Sequence, residues 1–286
     1  MDWSNKVVLI TGASSGIGRG LALELARRGA RLGLMARGVP AQKAATAAVG
    51  ERRPGDPPAV IEPSPRLLEV IQQISQEAQT RTGEKIAIAL PADVRDAGSV
   101  QAAADKLVQQ FGKIDVLIAN AGIGATTPAT ELDPAAVAGV LEVNVLGAVN
   151  SVAAVLPEMV RRGSGQLVAI SSLSAYRGLP KSAAYCSSKA ALSSFFESVR
   201  IDLIGRGVDV TIIHPGFIKT PLTAGRKNKM PFLMELDAAI KKIIWAIEQR
   251  KKSYAFPWQL ASIVRAAMVM PNFMYDWISA RNSFRE

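Results

Sequence analysis

The 286-residue chain is 49% hydrophobic and 20% charged, a balance that fits one large globular domain and excludes a disordered or low-complexity protein. Its lone cysteine, Cys186, excludes an internal disulfide framework, so a reducing, cytoplasmic setting is expected; the opening MDWSNKVVLI lacks the charged, apolar and small-residue regions of a secretory signal. The net charge of +10 comes with no metal-ligand spacing and no nucleic-acid-binding signature, so it reads as a solvated basic face or as an attraction for phosphorylated or anionic partners.

The first β-branched run, Lys6 to Thr11, leads into Gly12-Ala13-Ser14-Ser15-Gly16-Ile17-Gly18 and a helix predicted over Gly16 to Arg28. Glycines at these spacings let the backbone turn tightly and approach a pyrophosphate, while the helix N-terminus offers unpaired N–H groups to the anion. Gly12, Ser14, Ser15, Gly16, Ile17 and Gly18 are therefore candidate dinucleotide-binding residues. The second strand, Arg31 to Ala36, ends at Arg37, where a site for NAD needs a carboxylate to hold the ribose hydroxyls. A guanidinium there suits a 2′-phosphate, so NADP(H) is expected over NAD(H); a solvated loop charge is the plainer reading of the same residue.

Proline-rich sequence from Gly38 to Pro65 reads as an insertion after the second strand. A helix over Leu67 to Thr82 and a strand over Lys85 to Leu90 follow, ending at Asp93-Val94. Beyond a helix over Gly98 to Phe111, the strand Ile114 to Ala119 ends at Asn120-Ala121-Gly122. Open α/β sheets bind ligands at such strand ends, although Asn120 taken alone is equally a turn residue and Asp93 a helix-start acceptor.

A long helix over Pro134 to Arg162 precedes the strand Gln166 to Ser171, then Ser172 and a helix over Ala183 to Arg206. Four-residue spacing puts Tyr185 and Lys189 on one helical face, where an ammonium can stabilise phenolate and tune the tyrosine as a general acid/base. With a hydroxyl from Ser172, that chemistry suits protonation of a carbonyl oxygen as hydride arrives, or the reverse. The strand Val208 to His214 is followed by Pro215-Gly216 and by an apolar stretch, Pro221 to Leu236, expected to wall a hydrophobic substrate. A helix over Asp237 to Lys251 and a seventh strand, Ser253 to Phe256, complete the alternation. His214 and Cys186 read as packing residues.

Near-continuous apolar strands alternating with helices predict a doubly wound, parallel, seven-stranded sheet with helices on both faces, in one domain over 1–257. An apolar helical extension, 258–286, is split by Pro271, and membrane-surface contact through it is left open.

Taken together, Thr11-Gly12-x-x-x-Gly16-x-Gly18, Asn120-Ala121-Gly122, Ser172, Tyr185-x-x-x-Lys189 and Pro215-Gly216-x-x-x-Thr220 resemble the short-chain dehydrogenase/reductase family in its compact, single-domain, Rossmann-type branch. The resemblance implies Tyr185 as acid/base, Ser172 polarising the substrate oxygen, and Lys189 holding the nicotinamide ribose and tuning Tyr185. It implies Asn144 as a fourth catalytic position, with a water-linked relay to the lysine. Asp93 and Val94 would meet the adenine, Asn120, Ala121 and Gly122 the cofactor ribose region, and Pro215, Gly216, Ile218 and Thr220 the nicotinamide end. Arg37 and Ser14 would take the 2′-phosphate. The expected activity is NADP(H)-dependent interconversion of carbonyl and alcohol on an apolar lipid-, isoprenoid- or steroid-like molecule. Its rivals are a non-catalytic NADP(H)-binding regulator and a membrane-surface lipid reductase. A homo-oligomer is implied, here a dimer because of the tail, whose layout resembles that of 11β-hydroxysteroid dehydrogenases.

Overall fold

In a computed structural model, residues 1–40, 61–79, 86–224 and 230–281 are described. Seven strands, β1 (Val7–Thr11), β2 (Arg31–Ala36), β5 (Ala87–Pro91), β6 (Val116–Ala119), β7 (Gly165–Ile170), β8 (Val208–Pro215) and β9 (Ser253–Phe256), form one sheet in the order β5-β2-β1-β6-β7-β8-β9. Every pairing in it is parallel, as the alternation of strand and helix predicts. All five residues of β1 are buried: Val8 and Ile10 enter a core shared with Leu21, Leu25, Ile240 and Ile244 on one face. Val7 and Leu9 enter the opposite core, with Leu107, Met159 and Phe196. A strand with apolar neighbours on both faces has no polar side to present, hence its uninterrupted VVLIT.

Helices α1 (Gly16–Arg27), α2 (Pro65–Gln79) and α7 (Leu236–Glu248) contribute to the first face, and α3 (Ala97–Phe111), α5 (Gly147–Arg162) and α6 (Ala183–Asp202) to the second. The predicted Pro134 to Arg162 helix exists but is not uniform. Between α4 (Pro134–Leu141) and α5 lies a π-helical turn, Glu142–Leu146, centred on Asn144. Such wide turns mark functional positions in many helices, because they aim one side chain out of the ordinary register.

The insertion is closed at its base. β3 (Val39–Pro40) pairs antiparallel with β4 (Ile61–Glu62), so Arg37 and the start of α2 are held close although the insertion separates them in sequence. The rest of the predicted insertion lies outside the described residues.

After β9 the chain enters α8 (Trp258–Val269) and α9 (Asn272–Arg281), the two tail helices expected on either side of Pro271. Leu260 and Ala261 of α8 are buried against Leu173, with Tyr176, Phe217 and Val264 around them. The tail therefore packs at the C-terminal end of the sheet, beside the segment that joins β7 to α6. Arg177 fixes it there. Its guanidinium donates to the carbonyls of Ala267, Met268 and Met270 at the end of α8, the last two at 3.3 and 3.0 Å, and to Asn272 Oδ1 at 2.9 Å. It also lies 4.0 Å from the centre of the Tyr275 ring, whose hydroxyl donates to Gly178 O at 2.6 Å.

Candidate active site

A cleft of about 460 Å³ runs along the C-terminal ends of the strands. Of the residues singled out from sequence, Gly12, Ser14, Ser15, Gly16, Ile17, Arg37, Asp93, Val94, Asn120, Ala121, Gly122, Tyr185, Lys189 and Thr220 line it. The glycine turn has the conformation that its residue type allows: Gly12 has φ +67° and Gly16 φ +53°. Gly18 is buried beneath the turn rather than in the cleft wall, and a Cβ there would stand 2.3 Å from Gly12 O. Its hydrogen is what lets α1 close on β1.

Asn120 has a structural task as well as a place in the wall. Its Nδ2 donates to Thr11 O at 2.9 Å and Gly12 O at 3.2 Å. Thr11 Oγ1 in return accepts from the amides of Asn120 and Ala121, each at 3.0 Å. This reciprocal clamp joins the ends of β1 and β6 and sets the turn. Thr11, the first residue of the glycine motif, is buried and joins the site through this pairing.

Asp93 is tied to Arg95, with a shortest contact of 2.6 Å, and that hydrogen-bonded guanidinium holds its carboxyl below the usual range. Two residues not anticipated from sequence, Ser64 and Arg66, line the cleft together with Arg37. They arrive from the far side of the insertion, at the entry to α2. The cleft thus has a strongly cationic end, built from two stretches of chain that the β3–β4 ladder brings together.

At its other end the catalytic candidates cluster around α6. Lys189 is 4% exposed and donates from Nζ to Ile170 O at 2.9 Å. Burial lowers its pKa to about 8, because the charged form has lost water. Its Nζ lies 5.8 Å from the centre of the Tyr185 ring. Gly122 faces two of the candidates: a Cβ placed there would be 3.5 Å from Lys189 Nζ and 3.3 Å from Asn144 Oδ1.

Asn144 is fully buried behind this wall. Its Oδ1 accepts from Ile123 N at 2.8 Å, and its Nδ2 donates to Ile123 O and Ser188 Oγ, both at 2.9 Å. Ser188 Oγ continues to Tyr185 O at 2.8 Å. The amide is therefore a three-way brace between the β6 loop, the π-helical turn and the helix that carries Tyr185. Ser188 is a further positioning residue, signalled in sequence only by its place beside Lys189.

Ser171, not Ser172, lies in the described wall, but its hydroxyl is engaged by Lys189 O at 3.1 Å and Ser193 Oγ at 2.7 Å. Ser172 Oγ accepts from Ser174 N at 3.1 Å, capping a short 3₁₀ turn, Leu173–Ala175. An accepting hydroxyl keeps its proton to donate.

Pro215, Gly216 and Ile218 lie outside the cleft lining. Gly216 N donates to Phe256 O at 2.7 Å, and a Cβ at Gly216 would sit 2.9 Å from Leu260 of α8. Ile218 is buried and bridges to Met234. In the expected apolar wall, Leu222 lines the cleft, Phe232 and Leu233 are exposed, and Met234 turns inward to the core.

His214 takes no part in the cleft. It stacks on Tyr176, with ring centres 4.9 Å apart, between Ser193 at 3.3 Å and Ser253 at 3.4 Å. Burial, aided by the charge of Arg265, lowers its pKa to about 4. Between pH 6.5 and 4 the unfolded chain binds a proton that the folded chain resists, so stability falls as pH drops through that window, by about 3 kcal/mol in all. Thermal midpoints measured across it should show a shallower acid-side decline in His214→Gln; superimposable curves would refute this account.

The short-chain dehydrogenase family model matches residues 6–64 and 58–231. An uncharacterized oxidoreductase of Myxococcus xanthus is 41% identical over 282 residues, 98% of each chain. A dehydrogenase/reductase SDR family member 7B of Bos taurus is 34% identical over 77% of this chain, and an 11-beta-hydroxysteroid dehydrogenase 1A of Arabidopsis thaliana 36% over 77%. The alignments span 60% and 54% of those two longer proteins. Among solved structures, an alcohol dehydrogenase of Thermococcus sibiricus complexed with 5-hydroxy-NADP superposes with TM-score 0.68 at 25% identity, over 88% of this chain and 95% of that one. A 3-ketoacyl-(acyl-carrier-protein) reductase of Brucella melitensis, complexed with NADH, shares the fold with TM-score 0.70 at 24% identity, over 89% and 96%. A glycine-turn cleft at the switch of a doubly wound sheet, a buried lysine under a tyrosine and these relatives lead to one assignment: the chain is an oxidoreductase of the short-chain dehydrogenase/reductase family.

Proposed function

We propose that the protein is an NADP(H)-dependent enzyme interconverting a carbonyl and an alcohol on an apolar substrate. The observation that carries this reading is the single cleft with Arg37, Ser64 and Arg66 at one end and Tyr185 over Lys189 at the other. The residues between fit a dinucleotide: the glycine turn leaves no side chain in the way of a pyrophosphate, and the α1 N-terminus faces it. When bound, the cofactor supplies or accepts the hydride.

Tyr185 gives a proton to the carbonyl oxygen or takes one from the alcohol. Lys189, desolvated but still largely charged at neutral pH, stabilises the phenolate that this leaves. Ser172 donates to the same oxygen, and the Asn144–Ser188 brace keeps α6 in register with the β6 loop. Leu222 lies across Gly124 from Tyr185, and Ile123 and Val143 add apolar lining to the same cleft, which favours a hydrophobic carbonyl compound. A panel of ketones graded by chain length and ring size, followed by NADPH absorbance, tests this directly; absence of turnover across the panel would reject it.

The arginine pair favours NADP(H), since two guanidinium groups and a hydroxyl can meet the three acceptor oxygens of a 2′-phosphate. Each charge-assisted contact contributes about 1.5–3 kcal/mol, so Arg66→Ala should weaken NADPH binding on the order of tenfold or more and leave NADH almost unaffected. Fluorescence titration of both cofactors measures this. Equal affinity of the native protein for NADH and NADPH would defeat the assignment.

A further inference from the structure

We propose that the outward face of α8 and α9 is a docking surface for an anionic lipid bilayer, set beside the mouth of the catalytic cleft. Helix α8 buries only one stripe, Leu260, Ala261 and the partly covered Val264. Its opposite stripe holds Trp258 and Val269, 72% and 86% exposed, on a line that also carries Ser262, Arg265 and Ala266. In α9, Phe273 is 74% exposed, and Trp277, one turn on, is 57% exposed on the same face. Isolated exposed apolar residues are ordinary; aromatic side chains grouped on two consecutive helices held by the same clamp are not.

The position of this face is as informative as its composition. Both tail helices follow the C-terminal end of β9, and α8 touches Gly216 and Leu173 at the end of the sheet where the cleft opens. Leu222 and Phe232, 44% and 47% exposed, add apolar surface at that end. A bilayer resting on the tail would therefore face the same end of the molecule as the cleft.

Charge selects the occupant. The chain carries +10, which attracts an anionic surface. Helix α8 has no acidic residue and carries the exposed Arg265. Aromatic residues on one side with cations nearby are the composition of helices that lie in the headgroup layer, and neither helix is long enough to cross it.

The test is co-sedimentation of the full chain with phosphatidylcholine vesicles, with and without phosphatidylserine, alongside the double variant Trp258→Asp, Phe273→Asp. Both positions lie in first helical turns, where a carboxylate suits the helix dipole, and both side chains are largely exposed. The variant is expected to keep the native melting temperature and NADPH affinity. The native chain should partition onto serine-containing vesicles, and the variant on the order of a hundredfold less, about tenfold per lost aromatic. Native protein remaining in the supernatant, equal partition onto both vesicle types, or undiminished binding by the variant would each overturn the proposal. So would a native dimer, seen by sedimentation velocity, that the double variant converts to monomer without any vesicle binding. None of these readouts depends on catalysis, so the proposal and the reductase reading fail separately.

Discussion

Tyr185→Phe should lose turnover by on the order of 10³-fold, equivalent to about 4 kcal/mol of transition-state stabilisation, while binding NADPH as the native protein does. The substitution removes one oxygen and leaves the ring. The ring keeps its neighbours: a Cβ on Gly124 would lie 3.8 Å from Tyr185 Cδ2, and Lys189 Nζ is 5.8 Å from the ring centre. Lys189 keeps its bond to Ile170 O, and Ser188 still reaches the main-chain oxygen of residue 185, so α6 should stay in place. Steady-state rates with any active ketone, together with NADPH titration, separate the two effects. Turnover within a few-fold of native would remove the tyrosine from its proposed role; weakened cofactor binding would mean that the hydroxyl helps to hold the ribose.

Replacing Arg177 by methionine has the second large expected effect, on the tail. The guanidinium meets the carbonyls of Ala267, Met268 and Met270 where α8 ends and has no further turn to use them, and it stacks on Tyr275. Methionine preserves much of the stem and none of the donors, so about 2–4 kcal/mol of local docking should go. Hydrogen exchange would accelerate in residues 258–281, and kcat/KM for bulky ketones would fall several-fold, because the loop between Ser172 and Tyr185 loses its brace. Arg177→Lys, which keeps the charge but not the fork, should recover part of both. Native-like exchange throughout the tail in the methionine variant would show that the apolar contacts of Leu260 and Ala261 hold it unaided.

What was legible in the sequence is what repeats locally. Strands buried on both faces read as unbroken apolar runs, and the order of alternation fixes a parallel sheet, so β2 and β9 are found at their predicted bounds. The glycine turn and the Tyr185–Lys189 pair were legible because each lies within one turn or one helical face. Arg66 and Ser64 were not, since their nearness to Arg37 exists only through the ladder that closes the insertion. The π-helical turn at Asn144 left no trace in the pattern either: the polar brace from Asn144 to Ile123 and Ser188 is tertiary. Nor did Arg177, an unremarkable loop residue, reveal that it holds the tail. Pro215 and Gly216 belong to the family motif; here Gly216 packs against Leu260 of α8, in the extension that follows β9.

The ladder of Val39–Pro40 with Ile61–Glu62 has a consequence for engineering. It holds Val39–Pro40 beside Ile61–Glu62, so chain added between them closes a loop whose ends are already fixed. Lengthening a loop is entropically cheap, about 0.6 kcal/mol for each doubling. A fluorescent domain spliced between residues 40 and 61 would be tethered near Arg37 and Arg66, at one end of the cleft. The ladder is thus an insertion port for an optical probe of whatever binds there.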